Sequence, residues 1–389
     1  MNFQSKLPDV GTTIFTIMSQ LATDHKAINL GQGFPDFNPD TELLDLVSNA
    51  MHQGHNQYPP MAGVPALREA ISGKVQALYG HHYDSNTEIT VTSGATEGLM
   101  ASILAFVRSG DEVVLIEPFY DSYIPAIHLA GGIPVPVPLQ APTAERPCYQ
   151  IDWERIRGAI NSKTRMLIIN FPHNPTGINL RESDLDELER IVDETGILIL
   201  SDEAYEHIVF DGHQHQSLAR RPALAANAVV ISSFGKTYSA TGWKIGYCCA
   251  PVALSSEIRK VHQFVVFTVS SPMQVALATY MQNPAPYLGL SAFYQKKRDR
   301  LFEGLKNTRL VPMPSQGTFF LLADYSAVSD LPEAEFARWL TTEHGVGVIP
   351  VSAFYRNPHA AESNHGLARF CFAKRDETLD AAMERLAAV

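Results

Sequence analysis

The middle of this 389-residue chain alternates between two hydrophobic periods, and that alternation leaves few folds open. Short β-rich runs stand at 88–92, 112–116, 166–170, 197–201, 228–232 and 244–250. Longer stretches with helical spacing lie between many of them, as at 95–107 and 183–193. Strands that alternate with helices predict an α/β fold: a mostly parallel sheet with helices on both faces. The run Ile133-Pro134-Val135-Pro136-Val137-Pro138 lacks ladder donors at its prolines, so it predicts an edge strand or an extended segment.

Past residue 290 the pattern changes. A charged helical stretch at 293–307, a strand at 317–322, an amphipathic helix near 332–343 and a strand at 367–372 form an α+β pattern. The chain is too long for one simple core. The expected division is a large domain at 45–290 and a smaller one built from 1–44 plus 291–389. Ligands of open parallel sheets bind outside the carboxyl ends of the strands. Ser93, Asn174, Asp202, Ser233 and Lys236 all fall at such ends, which predicts one site.

The segment Ser232-Ser233-Phe234-Gly235-Lys236-Thr237, running on to Gly242-Trp243-Lys244-Ile245-Gly246, carries the sharpest chemistry. A lysine just past a buried strand can form an imine with an aldehyde cofactor, while Ser233 and Lys244 hold that cofactor's phosphate. A nucleotide P-loop is excluded, because Val230 stands where its first glycine is needed. Gly31-Gln32-Gly33 fails as a dinucleotide fingerprint, since Asp36 takes the third glycine position. Thr92-Ser93-Gly94-Ala95-Thr96 follows a strand and opens a helix, a ready phosphate seat or simply a turn capped by Ser93. Asp202, in Ser201-Asp202-Glu203-Ala204-Tyr205, can hold a pyridine nitrogen protonated or serve as a helix N-cap. His173-Asn174-Pro175-Thr176-Gly177 is turn chemistry in its own right.

Composition removes several function classes. A formal net charge of −11 with no dense basic run argues against nucleic acid as a partner. The four cysteines, Cys148, Cys248, Cys249 and Cys371, form no CxxC pair, so a reducing compartment and no disulfide framework are expected. Residues 1–11 hold no signal-type apolar region, and no apolar run approaches the ~20 residues of a membrane span. A cytoplasmic protein with no membrane partner and no metal site is expected.

Taken together and in order, SGAT, HNPTG, SDEAY, SSFGKT and GWKIGY resemble the class I and II aminotransferases of pyridoxal-phosphate (PLP) fold type I, over almost the whole chain. The resemblance implies a mostly parallel seven-stranded sheet, pyridoxal 5′-phosphate as cofactor, and amino acids and 2-oxo acids as substrates. It implies that Lys236 carries the cofactor as an imine and then moves a proton from the substrate Cα. Asp202 would pair with the pyridine nitrogen, and Asn174 and Tyr205 would contact the phenolic oxygen. Ser233, Lys244, Ser93, Gly94 and the backbone of Ala95 and Thr96 would bind phosphate. Tyr120 would stack on the ring, and Tyr58 would reach the phosphate of a neighbouring subunit in a homodimer. Arg369 would clamp the α-carboxylate with its fork, while Gly33 would let substrate lie close to the backbone. Many members carry arginine at the position of Lys244; lysine keeps the charge and loses the fork.

The segments Gly31–Phe37 and Val261-His262-Gln263-Phe264…Phe267 are similar to the subgroup of kynurenine/glutamine transaminases and methionine aminotransferases, the latter more closely. Thr268 stands where the kynurenine enzymes carry histidine. An apolar pocket with Phe15 and Phe267 would favour methionine and aromatic amino acids, and no second cation is evident for a dicarboxylate. The implied reaction is ping-pong transamination. A carbon–sulfur β-lyase starting from the same Cα carbanion, and a kynurenine–oxoglutarate transaminase, remain as alternatives. A PLP-binding regulator would need a fused DNA-binding domain, for which the sequence leaves no room.

Overall fold

A computed structural model describes residues 4–143 and 145–389. Near the N-terminus, β1 (Ile28–Asn29) pairs in parallel with β11 (Val346–Gly347). The large sheet holds β2 (Ile89–Thr92), β3 (Glu112–Glu117), β4 (Ile133–Pro138), β5 (Thr164–Asn170), β6 (Leu198–Asp202), β7 (Ala228–Ser233) and β8 (Gly246–Cys249). Their order is β2-β8-β7-β6-β5-β3-β4. Only β8 runs against its neighbours; the remaining pairs are parallel. The proline-rich β4 takes an edge, pairing with β3 alone, where its missing donors face no second strand.

The central strands read as unbroken apolar runs because both faces are covered. Leu167, Ile169, Ile199 and Val230 point to one side, against Leu67 and Ile71 of helix Pro65–Tyr79 and Leu188 of helix Glu182–Thr195. Ile168, Leu200, Val229 and Ile231 point to the other, against Leu99 and Ile103 of helix Gly94–Phe106 and Ile258 of helix Val252–Val265. This is the period-2 alternation of a strand.

A second core surrounds an antiparallel sheet of order β12-β13-β10-β9, made of β9 (Val311–Pro312), β10 (Phe320–Asp324), β12 (Ile349–Pro350) and β13 (Leu367–Cys371). Leu301, Phe336 and Leu379 pack on it from three helices, and Met18 and Leu30 join from the N-terminal segment. Two expected strands are shortened. The run at 317–322 starts only at Phe320, because Thr318 is left-handed with φ 73°. The run at 244–250 narrows to β8, because Lys244 is also left-handed, φ 55°, at the end of a tight turn over Thr241–Trp243. Among the described residues, no helix is long and apolar enough to cross a membrane.

Candidate active site

The carboxyl ends of β5, β6 and β7 lie level, with Asn170 in register with Asp202 and Asp202 with Ile231. A cavity of about 400 Å³ opens over them. Its lining includes Gly94, Ala95, Thr96, Ser233 and Lys244; Asp202, Tyr120 and Tyr205; and Lys236, Gly33, Asn174, Phe15 and Arg369. The strand ends therefore bring together thirteen expected residues from segments spread along the chain.

The first group forms an anion seat. Helix Gly94–Phe106 begins directly after β2, so the N–H groups of its first turn have no intrahelical acceptor. Gly94 adopts φ 70°, which bends the chain into that helix. Gly246 backs the turn closely: a Cβ there would meet Ser232 O at 2.6 Å and Ala95 N at 2.8 Å. The Lys244 ammonium reaches over the same turn, 3.3 Å from where a Gly94 Cβ would stand. Ser93, expected here, lies outside the cavity lining. Its side chain makes no capping bond; its N–H donates to Glu97 Oε2 at 3.1 Å.

Asp202 is buried at the end of β6. It caps no helix; a turn follows it. Burial raises its pKa, while a hydrogen bond from Tyr123 OH at 2.7 Å and the N–H of Ala204 at 3.2 Å favour the ionised form. A buried carboxylate of this kind favours a cationic partner. Sequence reasoning overlooked Tyr123, although it stands only three residues beyond Tyr120, at the start of helix Tyr123–Leu129. It also overlooked Asn170, whose Nδ2 donates to Asp202 O at 2.9 Å and whose Oδ1 accepts from Asn174 N at 3.0 Å.

Lys236 sits in the single turn Phe234–Thr237 that follows β7. Its Nζ donates to Gly33 O at 2.9 Å and lies 5.5 Å from the centre of the Tyr205 ring. Burial, reinforced by the Arg369 and Lys244 charges and opposed by Cys371 and Asp202, lowers its pKa to about 8. An amine so tuned can act near neutrality as nucleophile and base.

Arg369, on β13, is 1% exposed. Its Nη1 donates to Asn174 Oδ1 at 2.7 Å and its Nη2 to Gly31 O at 2.9 Å, while the buried Nε has no partner. The guanidinium lies 3.8 Å from the centre of the Phe320 ring, with Phe354 at 4.8 Å and Phe15 at 5.3 Å. Burial lowers its pKa to about 10, so it stays cationic at neutral pH. Phe320, another unforeseen member, also explains Gly33, where a Cβ would stand 2.7 Å from Phe320 Cζ. Tyr58 and Phe267 are outside the lining; they meet edge-to-face at 5.2 Å on the surface, where Tyr58 is 82% exposed. Among the described residues, no three His, Cys, Asp or Glu side chains are grouped to hold a metal.

Comparison with known proteins bears on this geometry. The family model for aminotransferase class I and II matches residues 25–386. Methionine aminotransferase of Escherichia coli (strain K12) is 50% identical over 384 residues, covering 98% of this chain and 97% of its own length. The solved structure of YbdL from Escherichia coli, described as having a methionine aminotransferase function, matches with a TM-score of 0.95 at 49% identity over 100% of both chains. The solved N-succinyldiaminopimelate aminotransferase of Mycobacterium tuberculosis matches with a TM-score of 0.95 at 40% identity, again over 100% of both chains.

Proposed function

The chain belongs to the class I and II aminotransferases, and we propose that it uses pyridoxal 5′-phosphate to move the amino group of methionine and of aromatic or other apolar amino acids to a 2-oxo acid, in a ping-pong course. Its architecture is the type I fold of PLP-dependent enzymes. The residues fit that cofactor. Ala95, Thr96, Ser233 and Lys244 offer donors and charge to a phosphate, buried Asp202 suits a protonated pyridine nitrogen, and Lys236 suits an aldehyde. When bound, the cofactor supplies an electron sink for negative charge at the substrate Cα.

The chain's own groups do the rest. Asp202, held by Tyr123, would keep a proton on the ring nitrogen. Tyr120 would hold the ring, and Tyr205 and Asn174 would donate to the phenolic oxygen. Because a guanidinium only donates, it draws Asn174 Oδ1 toward itself and leaves the amide Nδ2 as the donor. The Arg369 guanidinium, which lines the cavity, would receive the substrate α-carboxylate. Lys236 Nζ then removes the Cα proton.

The cation inventory carries the substrate preference. Lys236, Lys244 and Arg369 are the cationic side chains among the described lining residues, and each already has a role. A second substrate carboxylate would enter without a partner, whereas Phe15 and Phe320 suit an apolar side chain. Exposed Tyr58, Phe264 and Phe267 support a homodimer in which Tyr58 reaches the partner's phosphate seat. The two cores support two domains, with bounds near 45–290 and 1–44 plus 291–389: helix Thr41–His52 spans the first boundary, Leu43 and Leu322 pack in the first core and Tyr205 and Phe210 in the second. A panel of amino donors against several 2-oxo acids tests the reading. Methionine and phenylalanine should outperform aspartate at least tenfold in kcat/KM. Release of pyruvate and thiol from thioethers faster than 2-oxo acid formation would make the protein a β-lyase, and a preference for kynurenine would also refute the assignment.

A further inference from the structure

We propose that Glu206 is a positioning residue for the reaction: its buried carboxylate locks the turn that presents Tyr205 to the end of β7 that presents Ser233. The inference rests on the functional reading above. Glu206 directly follows Tyr205, and Ser232 directly precedes Ser233. Successive residues of a strand face opposite ways. Val230 packs with the core of helix Pro65–Tyr79 and Ile231 with that of helix Gly94–Phe106, so Ser232 shares the first face and Ser233 the second, the cavity face. Glu206 thus acts on the site from the opposite side of the sheet.

Its carboxylate accepts four hydrogen bonds. Oε1 accepts from Lys74 Nζ at 2.6 Å, from Tyr247 OH at 2.9 Å and from Ser232 Oγ. Oε2 accepts from Tyr79 OH at 2.6 Å. Lys74 Nζ also donates to Tyr247 OH at 2.6 Å and to His207 Nε2 at 3.2 Å. The network therefore joins helix Pro65–Tyr79, β7, β8 and the turn after β6, and every member but half-buried His207 is buried. Burial would raise the Glu206 pKa, but Lys74 and the hydrogen bonds hold it well below the carboxylate range, so the group is ionised. An apolar replacement for a buried ion pair is often no less stable. What four fixed acceptor bonds add is orientation: they prevent the Tyr205 turn from sliding against Ser233.

The test uses holoenzyme carrying Glu206→Gln or Lys74→Met. Three quantities are read: kcat and KM for methionine, the midpoint of the pH titration of bound-cofactor absorbance, and Tm. The expected result is a kcat per bound cofactor lowered about tenfold, a KM within about twofold, and a titration midpoint moved by at least about half a unit. A midpoint and kcat that stay put, however far Tm falls, would reduce Glu206 to a packing role and overturn the proposal. Should either variant fail to fold, Ser232→Ala and Tyr79→Phe each remove one donor and should move the midpoint in a common direction; unchanged midpoints in both also overturn it. Borohydride labelling of Lys236 in the unsubstituted protein checks the cofactor reading separately.

Discussion

Arg369 Nη1 donates to Asn174 Oδ1 at 2.7 Å, joining β13 of the smaller sheet to the loop after β5 of the larger one. The proposed carboxylate clamp and a proposed cofactor contact are thereby one unit. Arg369→Ala should cut kcat/KM by about 10²–10³-fold, mostly through KM, and equally for methionine, phenylalanine and leucine. Asn174→Ala should cost about tenfold in the same sense. Steady-state kinetics over the donor panel checks both; a loss confined to one donor would mean that Arg369 reads side chains.

Lys236 makes a pH prediction for the cofactor-free protein. Its pKa falls from the ordinary 10.5 to about 8, chiefly through burial. Between those values the unfolded chain holds a proton that the folded chain lacks, so stability rises with pH across this window. Below it the buried charge costs about 3 kcal/mol. Lys236→Met should therefore be more stable than the unsubstituted protein at pH 7, with the advantage fading as pH climbs from 8 to 10.5. Urea unfolding at several pH values measures it. The same variant should lose transamination and the visible cofactor absorbance.

Tyr123→Phe removes the 2.7 Å donor to Asp202 without altering volume much. The expected loss is about 1–2 kcal/mol of stability, since a buried carboxylate oxygen loses its partner. The hydrogen bond favours the ionised form, so its removal raises the Asp202 pKa further. About a fivefold drop in kcat should accompany it, with KM little changed.

Gly246→Ala would drive a methyl group into three backbone atoms, Ser232 O, Ala95 N and the Gly94 carbonyl carbon. Backbone cannot swing aside as a side-chain tip can. The expected cost is about 2–3 kcal/mol, together with about tenfold weaker retention of the cofactor, measured by dialysis and absorbance.

Phe264 is 86% exposed, and Tyr58 and Phe267 are exposed as well. If the proposed homodimer uses this face, Phe264→Glu should shift sedimentation from dimer toward monomer and loosen the cofactor, because Tyr58 would no longer reach a neighbour's seat. A dimer undisturbed by this charge would place the interface elsewhere.

What the sequence determined by itself is what short-range physics records. Strand runs at 112–116 and 228–232, the proline-bearing edge at Ile133–Pro138, the glycine that opens helix Gly94–Phe106, and the polar residues at strand ends all depend on neighbours a few positions away. These local periods and turn residues were enough to gather Ser93, Asn174, Asp202, Ser233 and Lys236 into one expected site; Arg369 joined it only through the family resemblance. Only the tertiary structure decided the partners. Phe319 and Phe320 read alike as adjacent strand residues, yet Phe319 packs against Tyr294 and Phe320 lies under the Arg369 guanidinium. Tyr123 meets Asp202 across 79 positions and Lys74 meets Glu206 across 132. Such pairings arise from the packing of whole elements. Local hydrophobic period says that a side chain turns inward, but not which of many inward groups it will face.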